Sequence, residues 1–291
     1  MTHMPTPVRR RAVEHGRVST SHPNASTSRS APDSLPDWVV LHVPHDSTEI
    51  PEWTRPQFAV DDAELARELG RLTDHHTFRL YAAGQTCACV RAQASRIVVD
   101  VERFVDDERE PMARRGLGVI YERTSNGERL RHALDASTRT RLLAEFYVPH
   151  HARLASAVER ALAEHGRCLV IDCHSFPRAP LPFEERSAPR PDICIGTDSF
   201  HTAPALRDAF VAEFKAAGWS VEVDRPFSGA LVPLARYRRD PRVSALMVEV
   251  QRALYMDETS LAPLPGFDAV SERVQRACVG ALEGLERSAP R

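Results

Sequence analysis

The sequence predicts an α/β protein, a three-layer α/β/α sandwich around a mostly parallel, mixed sheet. Two observations carry the prediction. Short β-branched runs recur at 38–43, 97–101, 168–172, 193–195 and 245–250, almost unbroken in apolar residues, as strands covered on both faces are. Between them lie stretches with apolar residues three and four apart, the spacing of helices that bury one side.

Residues 1–36 are rich in Ser, Thr, Pro and Arg and nearly free of large apolar side chains. Such a segment cannot offset its ordering entropy and reads as a disordered tail. Its Arg and Ser content also fits an organellar transit peptide, but Glu14, Asp33 and the lack of an amphipathic face argue against one, and the apolar core of a secretory signal is missing. Residues 37–291 form a single domain. After the strand at 38–43, a helix at 61–72 carries Leu65, Leu69 and Leu72, and a second runs through Phe78, Leu80 and Tyr81 with Thr73 or Asp74 as its cap. Cys87 and Cys89 alternate along a strand. Arg96 opens and Arg103 closes the strand at 97–101. A long helix at 142–164 carries Leu143, Phe146, Leu154, Ala157, Val158, Ala161 and Leu162 and stops at Gly166; another, at 205–217, stops at Gly218, and the last spans 267–285.

Composition narrows the function classes. Of 291 residues, 42% are hydrophobic, enough for a core without disulfide or metal staples. Lys and Arg number 38 against 40 Asp and Glu, so no broad field for nucleic acid exists, and no apolar run is long enough to span a membrane. Six scattered cysteines suit a reducing compartment, so the cytoplasm is expected. The phosphate-cradling GxxxxGK[ST] and GxGxxG loops, the GxSxG elbow, CxxC and HExxH are all absent. The remaining partner class is a small molecule.

Ligand sites in such sheets lie beyond the carboxyl ends of the strands. The first run leads into His45-Asp46-Ser47, the third into Asp172-Cys173-His174-Ser175, and Glu249 sits within the last. Either histidine could simply order a loop. A carboxylate between Val248 and Val250 is costly to bury without a partner, so Glu249 either faces solvent, pairs with an arginine, or serves as a base beside an activated water. Asp74, followed by His75 and His76, offers oxygen and imidazole donors that suit zinc, although a helix cap explains it equally. His150 and His151 are adjacent on a helix, so at most one faces a site; His151 is the candidate, behind the groups that touch a ligand, and a solvent-facing position explains it equally. Arg96, Arg103 and Arg225 could clamp a substrate carboxylate, or could pair on the surface.

Read together and in order, these segments resemble the N-formylglutamate amidohydrolase family: VPHDS at 43–47, TDHH at 73–76, SRIVVDVER at 95–103, YVPHH at 147–151, DCHS at 172–175, IGT at 195–197, RPFSG at 225–229, and MVEVQR at 247–252 running on to LYMDE at 254–258. The resemblance spans residues 38–285. The chain departs from the family's pattern at Asp46-Ser47, where a small residue and Gly are usual, and at Glu102, where Asn is common. The resemblance implies a zinc-peptidase-like fold similar to carboxypeptidases, of phosphorylase/hydrolase type. It implies hydrolysis of N-formyl-L-glutamate to formate and glutamate, with histidine degradation as the setting. His45, Asp74 and His174 would hold Zn2+ and leave a fourth position for water, and Glu249 would move the proton. Arg103, Arg225 and Arg96 would hold the two carboxylates, with His151 on the substrate side. Two rival readings remain: the same centre acting on another N-acyl or N-formimino amino acid or small peptide, and a metal-binding protein without catalysis.

Overall fold

The computed structural model describes residues 34–184 and 190–288. Residues 1–33 of the expected tail lie outside them. Leu35 is already buried and donates its N–H to Gln85 Oε1 at 2.8 Å, so packing begins slightly before the expected domain start.

The described strands are β1 (Val39–Val43), β2 (Ala88–Arg91), β3 (Cys168–Phe176), β4 (Ile193–Gly196), β5 (Val221–Val223) and β6 (Val243–Gln251). They form one sheet in the order β2-β1-β3-β6-β4-β5. β4 runs antiparallel to β6 and all other neighbours are parallel, so the sheet is mixed and mostly parallel, as expected. The helices are α1 (Asp62–Leu72), α2 (Thr77–Ala82), α3 (Ala136–Leu142), α4 (Val148–His165), α5 (Pro204–Ala216) and α6 (Phe267–Ser288).

Side chains alternate across a strand, and the two faces bury different helices. Val39, Leu41 and Val43 of β1, Ile171 and Cys173 of β3, and Leu246, Val248 and Val250 of β6 pack with Leu80 of α2, Phe210 and Phe214 of α5 and Val274 and Cys278 of α6. On the other face Val40, Val170, Val243 and Ala245 meet Leu154, Ala157, Val158 and Ala161 of α4. Three layers result, and both sheet faces are covered. A third cluster joins α1 to the long β2–α3 connection through Leu65, Leu72, Ile97, Val98, Val99 and Leu130.

The expected strand at 97–101 is not one. Val98 and Val99 N–H groups both turn back to Ser95 O, while Asp100 N–H reaches Val119 O. Buried Arg131 takes up the carbonyls that a neighbouring strand would have used, donating to Ile97 O at 2.6 Å and Val98 O at 3.3 Å, with its guanidinium over the Phe58 ring. The run is apolar because it is core, and it coils because an arginine satisfies its backbone. The expected helix at 142–164 begins earlier, at Ala136 behind the Asp135 cap, and is interrupted by a π turn at Leu143–Tyr147. It ends as expected at Gly166, whose φ of +70° and N–H bond to Leu162 O terminate the helix. Neither Thr73 nor Asp74 caps α2 with its side chain; His76, at φ +66°, holds the cap position.

Candidate active site

The apolar alternation on the α4 face gives way to polar groups toward the carboxyl ends of β1, β3 and β6. His42, Asp172, His174, Met247 and Glu249 continue that face, and register sets them side by side: His42 opposite Asp172, Asp172 opposite Met247, His174 opposite Glu249. His45 follows β1, and its carbonyl accepts the Asp74 N–H at 2.9 Å, which ties the α1–α2 corner to the strand exit. Asp74 thereby reaches the same point. The donors enter a cavity of about 390 Å³ that also meets Glu102, Arg103 and Arg252.

The geometry suits a divalent ion. Asp74 Oδ2 lies 3.0 Å from His174 Nδ1 and 3.7 Å from His45 Nδ1, and the latter is buried without a hydrogen-bond partner. Zinc with bonds of about 2.0–2.1 Å in a tetrahedron spaces its donors by about 3.3 Å, close to these separations. The outer nitrogens are secured: His45 Nε2 donates to Asp100 Oδ1 at 2.9 Å, and His174 Nε2 lies 3.2 Å from both Asp172 Oδ1 and Glu102 Oε1. Such carboxylate partners fix the ring orientation and leave Nδ1 of each imidazole to face the other donors. Arg252 anchors the free oxygen of Asp74, with Nη2 at 2.9 Å from Oδ1.

Electrostatics favour positive charge at this point. Burial acts against the charge on Asp74, but the hydrogen bond with His174, the His45 imidazole beside it and the nearby Arg252 hold its carboxyl well below the usual range. Asp100 is buried too, and Arg96 and His45 keep it likewise ionised. Burial opposes protonation of His174, yet Glu102 and Asp172 raise its pKa well above 6.5. Glu249 differs. Burial pushes its carboxyl up to about 7, and its Oε2 has no hydrogen-bond partner. A carboxylate poised there can take and return a proton near neutral pH.

Residues 38–256 match the N-formylglutamate amidohydrolase family profile. The chain belongs to that family. It is 31% identical over 259 residues to an N-formylglutamate deformylase from Pseudomonas aeruginosa, covering 85% of this chain and 92% of the relative. Its fold is similar to that of an N-formylglutamate amidohydrolase from Ralstonia eutropha JMP134, with a TM-score of 0.73 at 23% identity over 86% of this chain and 95% of the other. A gene product of Agrobacterium tumefaciens superposes with a TM-score of 0.63 at 21% identity, covering 85% and 91%.

In this amidohydrolase-family chain, His45, Asp74, His174, Glu249, Arg96 and Arg103 meet at one cavity. Arg225 and His151 do not line it. The Arg225 side chain is exposed and pairs with Glu222 at 3.3 Å, because the turn brings the next residues, Pro226, Phe227 and Ser228, inward instead. His151 Nε2 bonds to Val101 O at 2.8 Å, and Arg96 spends its fork on Asp100 and Tyr121. Arg103 is held more loosely, its Nε 3.5 Å from Asp100 and Nη1 3.7 Å from Glu110, so its guanidinium retains capacity for an anion. Sequence reasoning did not single out Asp100, Asp172, His42 or Arg252 as site residues. Asp172 was accessible through alternation, since it shares a strand face with His174; Asp100 carried no local signal.

Proposed function

We propose that this chain hydrolyses the formyl amide of N-formyl-L-glutamate, giving formate and L-glutamate, in a zinc-dependent reaction. The observation that carries the reading is the convergence of His45, Asp74 and His174 with the unpartnered oxygen of Glu249 in one cavity. Membership in the family and the name of the Pseudomonas aeruginosa relative supply the substrate. Zn2+ bound by His45, Asp74 and His174 would supply Lewis acidity, lowering the pKa of a water and polarising a carbonyl. Glu249 accepts the proton of the attacking water and returns it to the nitrogen of glutamate as the C–N bond breaks, leaving formate. Arg103 binds a substrate carboxylate at the cavity wall, since among the described arginines there its guanidinium is the one without a partner closer than 3.5 Å. Arg96 acts through Asp100, which holds the His45 ring. The same reading sets the reaction in the cytoplasm, as the scattered cysteines suggest, and in histidine degradation, as the resemblance implies.

The test is formate release from N-formyl-L-glutamate by the purified full-length chain, with and without a chelator. Turnover that stops with chelator and returns with Zn2+ is expected. A zinc-loaded, folded chain that releases no formate refutes the substrate, and a panel of N-acyl and N-formimino amino acids then identifies the right one. Turnover indifferent to the chelator refutes the metal dependence.

A further inference from the structure

Behind Asp172 lies a buried imidazole pair that the reaction above does not use. His42 on β1 and His150 on α4 are both wholly buried. His42 Nδ1 donates to Asp172 Oδ1 at 2.7 Å, and His42 Nε2 sits 2.8 Å from His150 Nε2. Asp172 Oδ1 is also 3.2 Å from His174 Nε2, an N–H it shares with Glu102 Oε1 at the same distance, while Asp172 Oδ2 accepts the Leu231 N–H at 2.9 Å. His150, His42, Asp172 and His174 therefore form one line from α4 along the facing side of the sheet to the cluster of His45, Asp74 and His174. Backbone placement enforces it. His42 and Asp172 are register partners, and Asp172 and His174 lie two apart on one strand face. The π turn at Leu143–Tyr147 immediately precedes α4, and a π turn shifts the phase of the side chains that follow it.

His42, Glu102 and Asp172 also bring three donor atoms close together, as a second ion would require. The spacing argues otherwise. At 2.7 Å, His42 Nδ1 and Asp172 Oδ1 share a proton, whereas two donors to one tetrahedral ion stand about 3.3 Å apart. Each remaining polar atom of His42 and Asp172 is also engaged, by His150 and by the Leu231 backbone.

We infer that His42 and His150 are positioning residues for His174: by holding Asp172 against His174 Nε2–H, they keep the His174 Nδ1 lone pair turned toward Asp74 and His45, and so set how tightly the chain binds a divalent cation. The inference rests on the metal reading above but not on the substrate. Outer hydrogen-bond partners of metal-bound histidines typically govern affinity by about 10–100-fold.

The experiment uses the full-length chain, stripped with chelator and titrated with Zn2+ in competition with a chromophoric chelator. One ion per wild-type chain is expected. His42→Leu should bind Zn2+ about 10–100-fold more weakly, while its chelated form still folds cooperatively but unfolds several degrees lower, since buried Asp172 and His150 each lose a partner. His42→Asn, whose side-chain amide can replace Nδ1–H as the donor to Asp172, should recover to within about threefold. If His42→Leu does not fold, His150→Leu carries the test, since it leaves the Asp172 bond in place but frees the His42 ring; about 3–10-fold weakening is expected. Affinities within about twofold of wild type in both leucine variants overturn the inference. Two ions per wild-type chain, falling to one in His42→Leu, overturn it by making His42 a ligand. A wild-type chain that binds no Zn2+ overturns both this inference and the metal reading, whereas Zn2+ binding without formate release overturns the substrate alone.

Discussion

Glu249→Gln exchanges one oxygen for an amide nitrogen at a point where the structure separates chemistry from stability. The Oε2 atom is buried and makes no hydrogen bond, so no native contact to it is lost. Burial pushes its carboxyl up to about 7, so the site accommodates the neutral form that glutamine mimics. The stability change is therefore expected to be small, within about 1 kcal/mol. Catalysis should respond very differently. A positioned general base contributes about 10²- to 10⁴-fold, so kcat should fall by that factor, equivalent to about 2.7–5.5 kcal/mol in the barrier. Formate release from N-formyl-L-glutamate gives kcat, Zn2+ titration shows whether the centre survives, and urea unfolding of the chelated chain gives stability. Because Glu249 is not among the three donors, Zn2+ affinity should stay close to wild type. A variant that keeps its metal and releases formate within about threefold of the wild-type rate would remove Glu249 from the role of base.

Other expectations follow from the same geometry. Arg252→Leu strips the buried Asp74 of its guanidinium at 2.9 Å, and breaking such a pair should cost about 3–5 kcal/mol in urea unfolding of the chelated chain; a loss below about 1 kcal/mol would show that the pair is not what holds Asp74. Arg103→Ala should raise KM for N-formyl-L-glutamate at least about tenfold, whereas Arg225→Ala should leave it within about twofold, since Arg225 is exposed and paired with Glu222. The reverse ranking would restore Arg225 to the substrate. His150 should make the chelated chain acid-sensitive. Burial, with His42 and His151 nearby, lowers its pKa from 6.5 to about 2. The unfolded chain thus takes up a proton below about pH 6.5 that the folded chain refuses, and stability falls as pH drops, approaching about 1.4 kcal/mol per unit for this one group. Urea midpoints between pH 7.5 and 5 should fall less steeply in His150→Gln, and equal slopes would contradict a neutral buried His150.

The fold was legible where a single local pattern decided the outcome. Residues 168–171 and 245–248 are apolar on both faces because helices cover both, and that doubling is visible in the sequence. The residues at 97–101 show where the rule fails. Their side chains are as apolar as those of any strand, but what makes a strand is where the backbone groups go. Here Arg131, some thirty residues downstream, supplies the donors. No window over 97–101 contains that information. β5 has the opposite problem: at three half-buried residues it is too short to carry a pattern.

The site divides along the same line. His45, His174 and Glu249 stand at or just beyond strand ends, and a rule about sheets points to them directly. Asp74 was ambiguous because one sequence context suits a helix cap and a metal donor equally. The structure separates them through Arg252, whose guanidinium holds Oδ1 and leaves Oδ2 facing the imidazoles. The carboxylates that orient those imidazoles were harder. Asp172 lies two residues before His174, so alternation alone places it on the same face, whereas Asp100 reaches His45 from a coiled segment across the cavity. His45 thus takes its outer partner from the long connection, whereas His174 has one built into its own strand, Asp172, beside a second, Glu102, from that connection. Loosening the 95–103 segment, for example by Arg131→Leu, should therefore weaken Zn2+ binding through His45 and Asp100 while leaving the His174–Asp172 pair intact.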